Sequence, residues 1–182
     1  MKKLDFIKIA VKDYKRVGAV SISSKHAIKK IIKKLKPDYK YIIEYGAGSG
    51  SITKELLKFI PSGGKIIAVE LNRELFKELS KLNDRRLKVV PADIFEVSKN
   101  LQSLGLPEID AVISGVPLAF LKSSTRKEII KNTYDNIKLG GRFVVYQISP
   151  MIVPAMKRLF KKVHSSVELR NIPPYFIITG EK

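Results

Sequence analysis

The stretch Ile42-Ile43-Glu44-Tyr45-Gly46-Ala47-Gly48-Ser49-Gly50 constrains the fold more than any other part of the chain. An apolar run of strand-forming residues ends in three glycines spaced two apart, and a helical pattern begins directly after them. Glycine lets a backbone turn tightly and lets a ligand approach its N–H groups, and a strand, turn and helix joined in this way form the nucleotide-binding unit of open α/β sheets. The spacing is G-x-G-x-G, with Ser51 where a G-x-G-x-x-G fingerprint has its last glycine. That points away from a nicotinamide dinucleotide. Glycines also end strands for structural reasons alone, so the rest of the chain must decide.

From Tyr39 onward, short β-branched runs alternate with longer amphipathic segments, the pattern of a parallel sheet with crossover helices. Strands are expected at 40–45, 65–70, 87–90, 109–114 and 141–148, and helices at 51–60, 73–82, 96–103, 123–136 and 151–161. Two final apolar runs, 163–169 and 175–179, are separated by Asn171-Ile172-Pro173-Pro174, too short for a helical crossover, so they should pair antiparallel. Two basic helical segments precede the sheet. In residues 4–16 Leu4, Ile7, Val11 and Tyr14 share a face, and in residues 25–36 Ile28, Ile31, Ile32 and Leu35 do so, with Ser23 or Ser24 placed to cap the second helix. One domain spanning 1–182 is expected, with 1–36 a basic helical extension.

Ligands of open α/β sheets bind at the carboxyl ends of the strands, and polar residues stand at several of these ends. Glu70 closes the second strand about 20 residues past the glycines, where an acid accepts hydrogen bonds from both ribose hydroxyls, with Leu71 beside it. Asp93 follows the third strand and suits an adenine amino group, with Ile94 against the ring; its structural alternative is a helix N-cap. At the end of the fourth strand Ser114-Gly115-Val116-Pro117-Leu118-Ala119-Phe120 leaves the sheet, and Tyr146 ends the fifth. The isolated His26 and His164 read as solvated or structural.

Charge narrows the partners. The 182 residues carry 35 Lys plus Arg against 17 Asp plus Glu, a net +18, which favours polyanions such as nucleic acid or anionic lipid. Thirteen basic and three acidic side chains fall in the first 40 residues, so more than half of the surplus sits there. Apolar faces lined by lysine suit a membrane interface, and Lys2, Lys3, Lys8, Lys12, Lys15 and Arg16 are the expected membrane contacts. With no Cys and two His, neither disulfide, thiol nor metal chemistry is expected. No apolar run reaches the roughly 20 residues of a spanning helix and no signal-peptide core is visible. A cytoplasmic protein held peripherally at the membrane is the expectation.

Taken together, four stretches resemble bacterial phospholipid N-methyltransferases: Val17-Gly18-Ala19-Val20 running to Ser23-Ser24, residues 44–50, Ser114-Gly115-Val116-Pro117, and Asn171-Ile172-Pro173-Pro174-Tyr175-Phe176. The chain is more distantly similar to ribosomal RNA adenine dimethyltransferases. The resemblance implies a Rossmann-like class I methyltransferase with a seven-stranded, mostly parallel sheet whose last strand is antiparallel, helices on both faces, and S-adenosylmethionine as cofactor. It implies a reaction at the amine of phosphatidylethanolamine and its methylated products. Glu44, Gly46, Ala47, Gly48, Gly50 and Glu70 would hold the cofactor, together with Ser114 and Gly115, and residues 18–24, including Ile22, Ser23 and Ser24, would close over it. Ile22 stands where that family's loop has Pro.

Transfer requires a neutral nitrogen, and a primary amine of this kind has a pKa of about 10, so a proton acceptor is needed. Tyr146, or a water held by it and Ser114, is the candidate. Pro117, Phe120, Tyr175 and Phe176, with Tyr146, would line the acceptor site, the rings facing a methylated cation; a core role for these aromatics stays open. One rival is an RNA or DNA adenine methyltransferase; against it, Ser114 stands where the adenine-reading loop has Asn, and no duplex-gripping domain is expected after Lys182. Another is a non-catalytic lipid- or RNA-binding protein of the same fold.

Overall fold

A computed structural model describes residues 24–182. The expected membrane contacts Lys2, Lys3, Lys8, Lys12, Lys15 and Arg16, and the cofactor candidates Ile22 and Ser23, lie outside the described residues.

Seven strands form one sheet in the order β3-β2-β1-β4-β5-β7-β6: β1 (Tyr41–Tyr45), β2 (Lys65–Val69), β3 (Leu87–Val90), β4 (Ala111–Ser114), β5 (Arg142–Gln147), β6 (Lys162–Glu168) and β7 (Tyr175–Glu181). The neighbours among β1 to β5 pair parallel. β7 pairs antiparallel with both β5 and β6, so β7 alone runs against the rest and β6 ends at the same edge as β1 to β5. The expected antiparallel pairing of the last two runs is found, with β7 inserted between β5 and the edge strand.

Around the sheet lie α1 (Lys25–Ile32), α2 (Ser51–Phe59), α3 (Arg73–Ser80), α4 (Ile94–Lys99), α5 (Ser123–Asn136) and α6 (Val153–Lys157). Side chains alternate across a strand. Ile42 and Ile66 accordingly meet α1 and α2 on one face, while Ile43, Ile67 and Phe143 meet the α4 to α6 side on the other. Residues 25–36 pack against the sheet: Ala27, Ile31 and Leu35 are buried there, and Ser24 caps α1 by accepting from the Ala27 N–H.

Two expected helices are shorter or shifted. Asp93 caps the fourth by accepting from Phe95 N–H at 2.8 Å, so it starts at Ile94. It ends where Asn100 leaves helical geometry, and a 3-10 turn, Leu101–Leu104, follows. The helix expected over 151–161 is confined to α6, which has Pro in its first turn. At the edge away from the carboxyl ends, buried Asp110 accepts from the Lys40 and Tyr41 N–H groups, both at 2.7 Å, and pairs with Lys138. That edge is closed by structural bonds.

Candidate active site

Gly46, Gly48 and Gly50 take φ values of 69°, 58° and 82°, a left-handed conformation open to glycine without steric penalty. Gly46 and Ala47 both donate to the Val69 carbonyl, at 2.8 and 3.2 Å. The Gly48 N–H donates to Glu70 Oε2 at 2.8 Å, and the Asn72 N–H to Oε1 at 2.8 Å. Glu70 thus ties the glycine turn to the first turn of α3, which Asn72 caps. Each carboxylate oxygen can accept more than one bond, so capacity for ribose hydroxyls persists. A Cβ built on Gly48 would meet nothing within 4 Å, so the turn presents an open cradle beside the carboxylate. Turn and acid together fit an adenosyl group.

Glu44 sits one residue before the turn's last strand position, fully buried. Its Oε2 accepts from the Thr53 hydroxyl at 2.6 Å, while Oε1 is buried without a hydrogen-bond partner among the described residues. Burial pushes its pKa up to about 8, against the lowering effect of the Thr53 bond, and nearby Glu70 adds to the rise. Glu44 holds α2 to β1 behind the cradle.

The sign of its effect on stability follows. Between about pH 4.5 and 8 the folded chain keeps a proton that the unfolded chain has released, so stability falls as pH rises through that interval and is level above it. Glu44→Gln keeps an acceptor for Thr53 and removes the titration. Its thermal unfolding temperature should lose the decline from pH 5 to 8 and exceed that of the wild type at pH 8, a gain of a few kcal/mol. Parallel pH profiles for the two proteins would refute the assignment.

Asp93 and Ile94 follow β3 at the next strand end, with Ile94 buried; Asp93 spends one oxygen on capping α4, which leaves the other carboxylate oxygen for a base amino group. Leu71 is exposed beside Glu70. Beyond β4, the Gly115 N–H donates to the Tyr45 carbonyl at 2.9 Å, placing the 114–117 loop against the glycine turn. Ser114 is buried, its hydroxyl donating to the Val116 carbonyl at 3.4 Å. The Tyr146 phenol packs on Gly115, closely enough that a Cβ there would lie 2.7 Å from Cζ. Ser114, Gly115 and Tyr146 are thus brought together beside the glycine turn, with half-buried Pro117 in the same loop.

The aromatic set divides. Tyr175 is buried and its ring packs against that of Tyr146, tilted by 50° with the centroids 5.7 Å apart. Phe176, the next residue of the strand, joins the core of the opposite face, as alternation requires. Tyr175 and Phe176 therefore do not line one pocket together: Tyr175 braces Tyr146, and Phe176 packs under the other side. Phe120 is half exposed at the rim. His26 and His164 are both exposed on the surface.

Two further residues that the sequence does not single out act here, and Asn171 gains a definite partner. Thr53 is the partner of Glu44. Gln147 ends β5, its Oε1 accepting from Ala119 N–H at 3.3 Å and its Nε2 donating to the Ser149 carbonyl at 2.6 Å, so it holds the loops after β4 and β5 together. A lone amide closing an apolar strand was its signal, the same signal that exposes Glu70. Asn171 is buried; its Oδ1 accepts from Ser24 N–H at 3.0 Å and its Nδ2 donates to the Pro173 carbonyl at 2.8 Å, fastening the start of α1 to the β6–β7 hairpin.

An adenosyl cradle at the carboxyl edge of a sheet in this order, with a single reversed strand, makes the chain an S-adenosylmethionine-dependent methyltransferase of class I. It belongs to the ribosomal RNA adenine dimethylase family, whose model matches residues 12–134. It is similar to an ornithine lipid N-methyltransferase of Singulisphaera acidiphila, 25% identical over 73% of this chain and 71% of that protein. It is also similar to ribosomal RNA small subunit methyltransferase A of Thermotoga neapolitana, 31% identical over 64% of this chain but only 43% of that protein. Among solved structures, the Burkholderia thailandensis 1,6-didemethyltoxoflavin-N1-methyltransferase with bound S-adenosylhomocysteine superposes with a TM-score of 0.73 at 16% identity, covering 97% of this chain and 86% of that one. At that identity the likeness concerns the fold.

Proposed function

We propose that the chain methylates the amine of a membrane phospholipid, phosphatidylethanolamine and its methylated products, at an anionic membrane surface. The loop after β4 carries this reading. Its polar residue is Ser114, buried and turned onto the Val116 carbonyl, so no side-chain amide is presented there to hold the edge of a planar base. A small aliphatic amine needs only backbone carbonyls and a proton acceptor. The similarity to an ornithine lipid N-methyltransferase over most of both chains supports the same acceptor class.

S-adenosylmethionine supplies the activated methyl group when bound. The protein's part is to hold the acceptor nitrogen in line and to take its proton. Gly46, Gly48, Glu70 and Asp93 orient the adenosyl moiety, the 114–117 loop carries the acceptor, and Tyr146, braced by Tyr175, is the group placed to accept a hydrogen bond from the amine and relay its proton, the phenol passing its own proton to water as it takes the amine's. The basic residues of the N-terminal segment, Lys2 to Arg16 in the sequence, would add attraction to anionic lipid of roughly 1 kcal/mol each.

A second reading, methylation of adenine in RNA, is favoured by the family match and by the ribosomal RNA relatives. The two are separated by methyl-labelled cofactor offered with phosphatidylethanolamine vesicles and, in parallel, with ribosomal RNA. Label should enter the organic extract and co-migrate with monomethylated lipid. Label confined to adenine of the RNA would replace the first reading by the second.

A further inference from the structure

Of the seven large apolar side chains that the described residues leave exposed, six lie at or just beyond carboxyl ends of strands, and the exception, Leu139, sits at the opposite edge. Four of the six ring the acceptor side: Phe120 after β4 at 51% exposure, Met151 after β5 at 59%, and Leu169 and Ile172 in the β6–β7 hairpin at 74% and 86%. Neighbouring apolar side chains this exposed mark an interaction surface. The three loops that carry them, 115–122, 148–152 and 169–174, contain no acidic residue; Lys122 and Arg170 lie within them, Arg170 paired with the neighbouring, buried Glu168.

The loops form one rim. The Arg126 guanidinium donates to the Ala119 carbonyl at 3.1 Å and reaches Met151 Sδ at 3.8 Å, Gln147 bridges the same two loops, and the pairing of Gln147 with Phe176 sets the start of β7, and with it the hairpin, beside the end of β5. Apolar tips projecting among cations match a bilayer boundary, in which alkyl side chains enter the acyl region and basic heads stay with anionic phosphates. A nucleic acid would be met by stacking rings and cations, and three of the four tips are aliphatic.

We propose that this rim is a membrane-docking collar: Phe120, Met151, Leu169 and Ile172 insert into an anionic bilayer, so that a lipid amine enters the acceptor site without leaving the surface. The collar rests on the reading that the acceptor is a membrane lipid, and it assigns bilayer contact to the catalytic edge itself, apart from the N-terminal segment.

The chain has no cysteine, so single labels report cleanly. Met151→Cys, Ile172→Cys and, as reference, Leu139→Cys are each labelled with an environment-sensitive fluorophore and mixed with vesicles of phosphatidylcholine and phosphatidylglycerol, which offer no primary-amine acceptor. Labels at 151 and 172 should brighten several-fold with a blue shift, and the label at 139 should keep its aqueous spectrum. The double variant Met151→Ser with Leu169→Ser should lose vesicle binding by roughly ten-fold or more while retaining S-adenosylmethionine affinity, which shows that it is folded.

Aqueous spectra at 151 and 172 on vesicle-bound protein, or an equal response at 139, would overturn the collar, as would shielding by duplex RNA in place of vesicles. Because these vesicles carry no acceptor, docking is read independently of turnover. Embedded labels without methylation of phosphatidylethanolamine would uphold the collar and remove the proposed substrate; methylated lipid with aqueous labels would do the reverse.

Discussion

Glu70→Ala weakens binding of S-adenosylmethionine and S-adenosylhomocysteine by at least 100-fold, and calorimetric titration is the measurement. In the wild type both oxygens already organise the site, one accepting from Gly48 N–H and the other from Asn72 N–H. Each oxygen keeps a further lone pair, beside a turn that is open at Gly48. Two ribose hydroxyls bonded to a carboxylate contribute roughly 1.5–3 kcal/mol each, a combined factor of about 10² to 10⁴. Glu70→Gln separates the contributions: it keeps one carbonyl oxygen, replaces an acceptor by a donor and should retain part of the affinity. Asn72 continues to cap α3 through its own side chain, accepting from Glu74 and Leu75 N–H, so circular dichroism should be unchanged. A dissociation constant within three-fold of the wild type would remove Glu70 from the cofactor site.

Much of this site could be read from the chain because local chemistry and global position agreed. The glycine turn, Glu70 and the loop from Ser114 each combine an apolar strand with a polar or glycine break at its carboxyl end, and parallel topology carries all such ends to one edge. The third strand, expected at 87–90, and the helix expected at 123–136 took those bounds, since turn residues or a polar N-terminal run delimit them. Where a side chain's partner is distant in sequence, the pattern was silent. Asn171 reaches Ser24 across 147 positions, and the packing of Tyr175 against Tyr146 depends on a strand pairing that places Tyr146 opposite Ile177.

The rim shows the converse difficulty. Met151, Leu169 and Ile172 are large apolar residues, which in a sequence read as core, and Phe120 reads as part of the acceptor site. Only their place in three adjacent loops separates them from the buried set. The expected basic face of the N-terminal residues and this rim would engage the same anionic surface through different physics, one by charge and the other by apolar insertion.

Gly115→Ala should lower kcat/KM by about 10²-fold, because both neighbours of the new methyl group belong to the site. A Cβ at Gly115 would stand 2.7 Å from Tyr146 Cζ and 3.2 Å from the Gly46 carbonyl. The first neighbour is a ring packed against buried Tyr175, and the second is the first residue of the cradle. Relief must push Tyr146 off its brace or spread the 114–117 loop from the glycine turn. A displacement of 1 Å at reacting groups lowers rates about 10²-fold, and overpacking costs about 1–3 kcal/mol of stability. Tyr146→Phe provides the contrast, since it leaves the backbone and the ring packing in place and deletes only the phenolic oxygen. If that oxygen takes the amine proton, Tyr146→Phe lowers kcat and alters its pH profile with the KM for S-adenosylmethionine unchanged, whereas Gly115→Ala changes both. Wild-type turnover of Tyr146→Phe at every pH would assign the proton elsewhere, and wild-type kinetics of Gly115→Ala would mean that the loop after β4 does not set the distance between acceptor and cofactor.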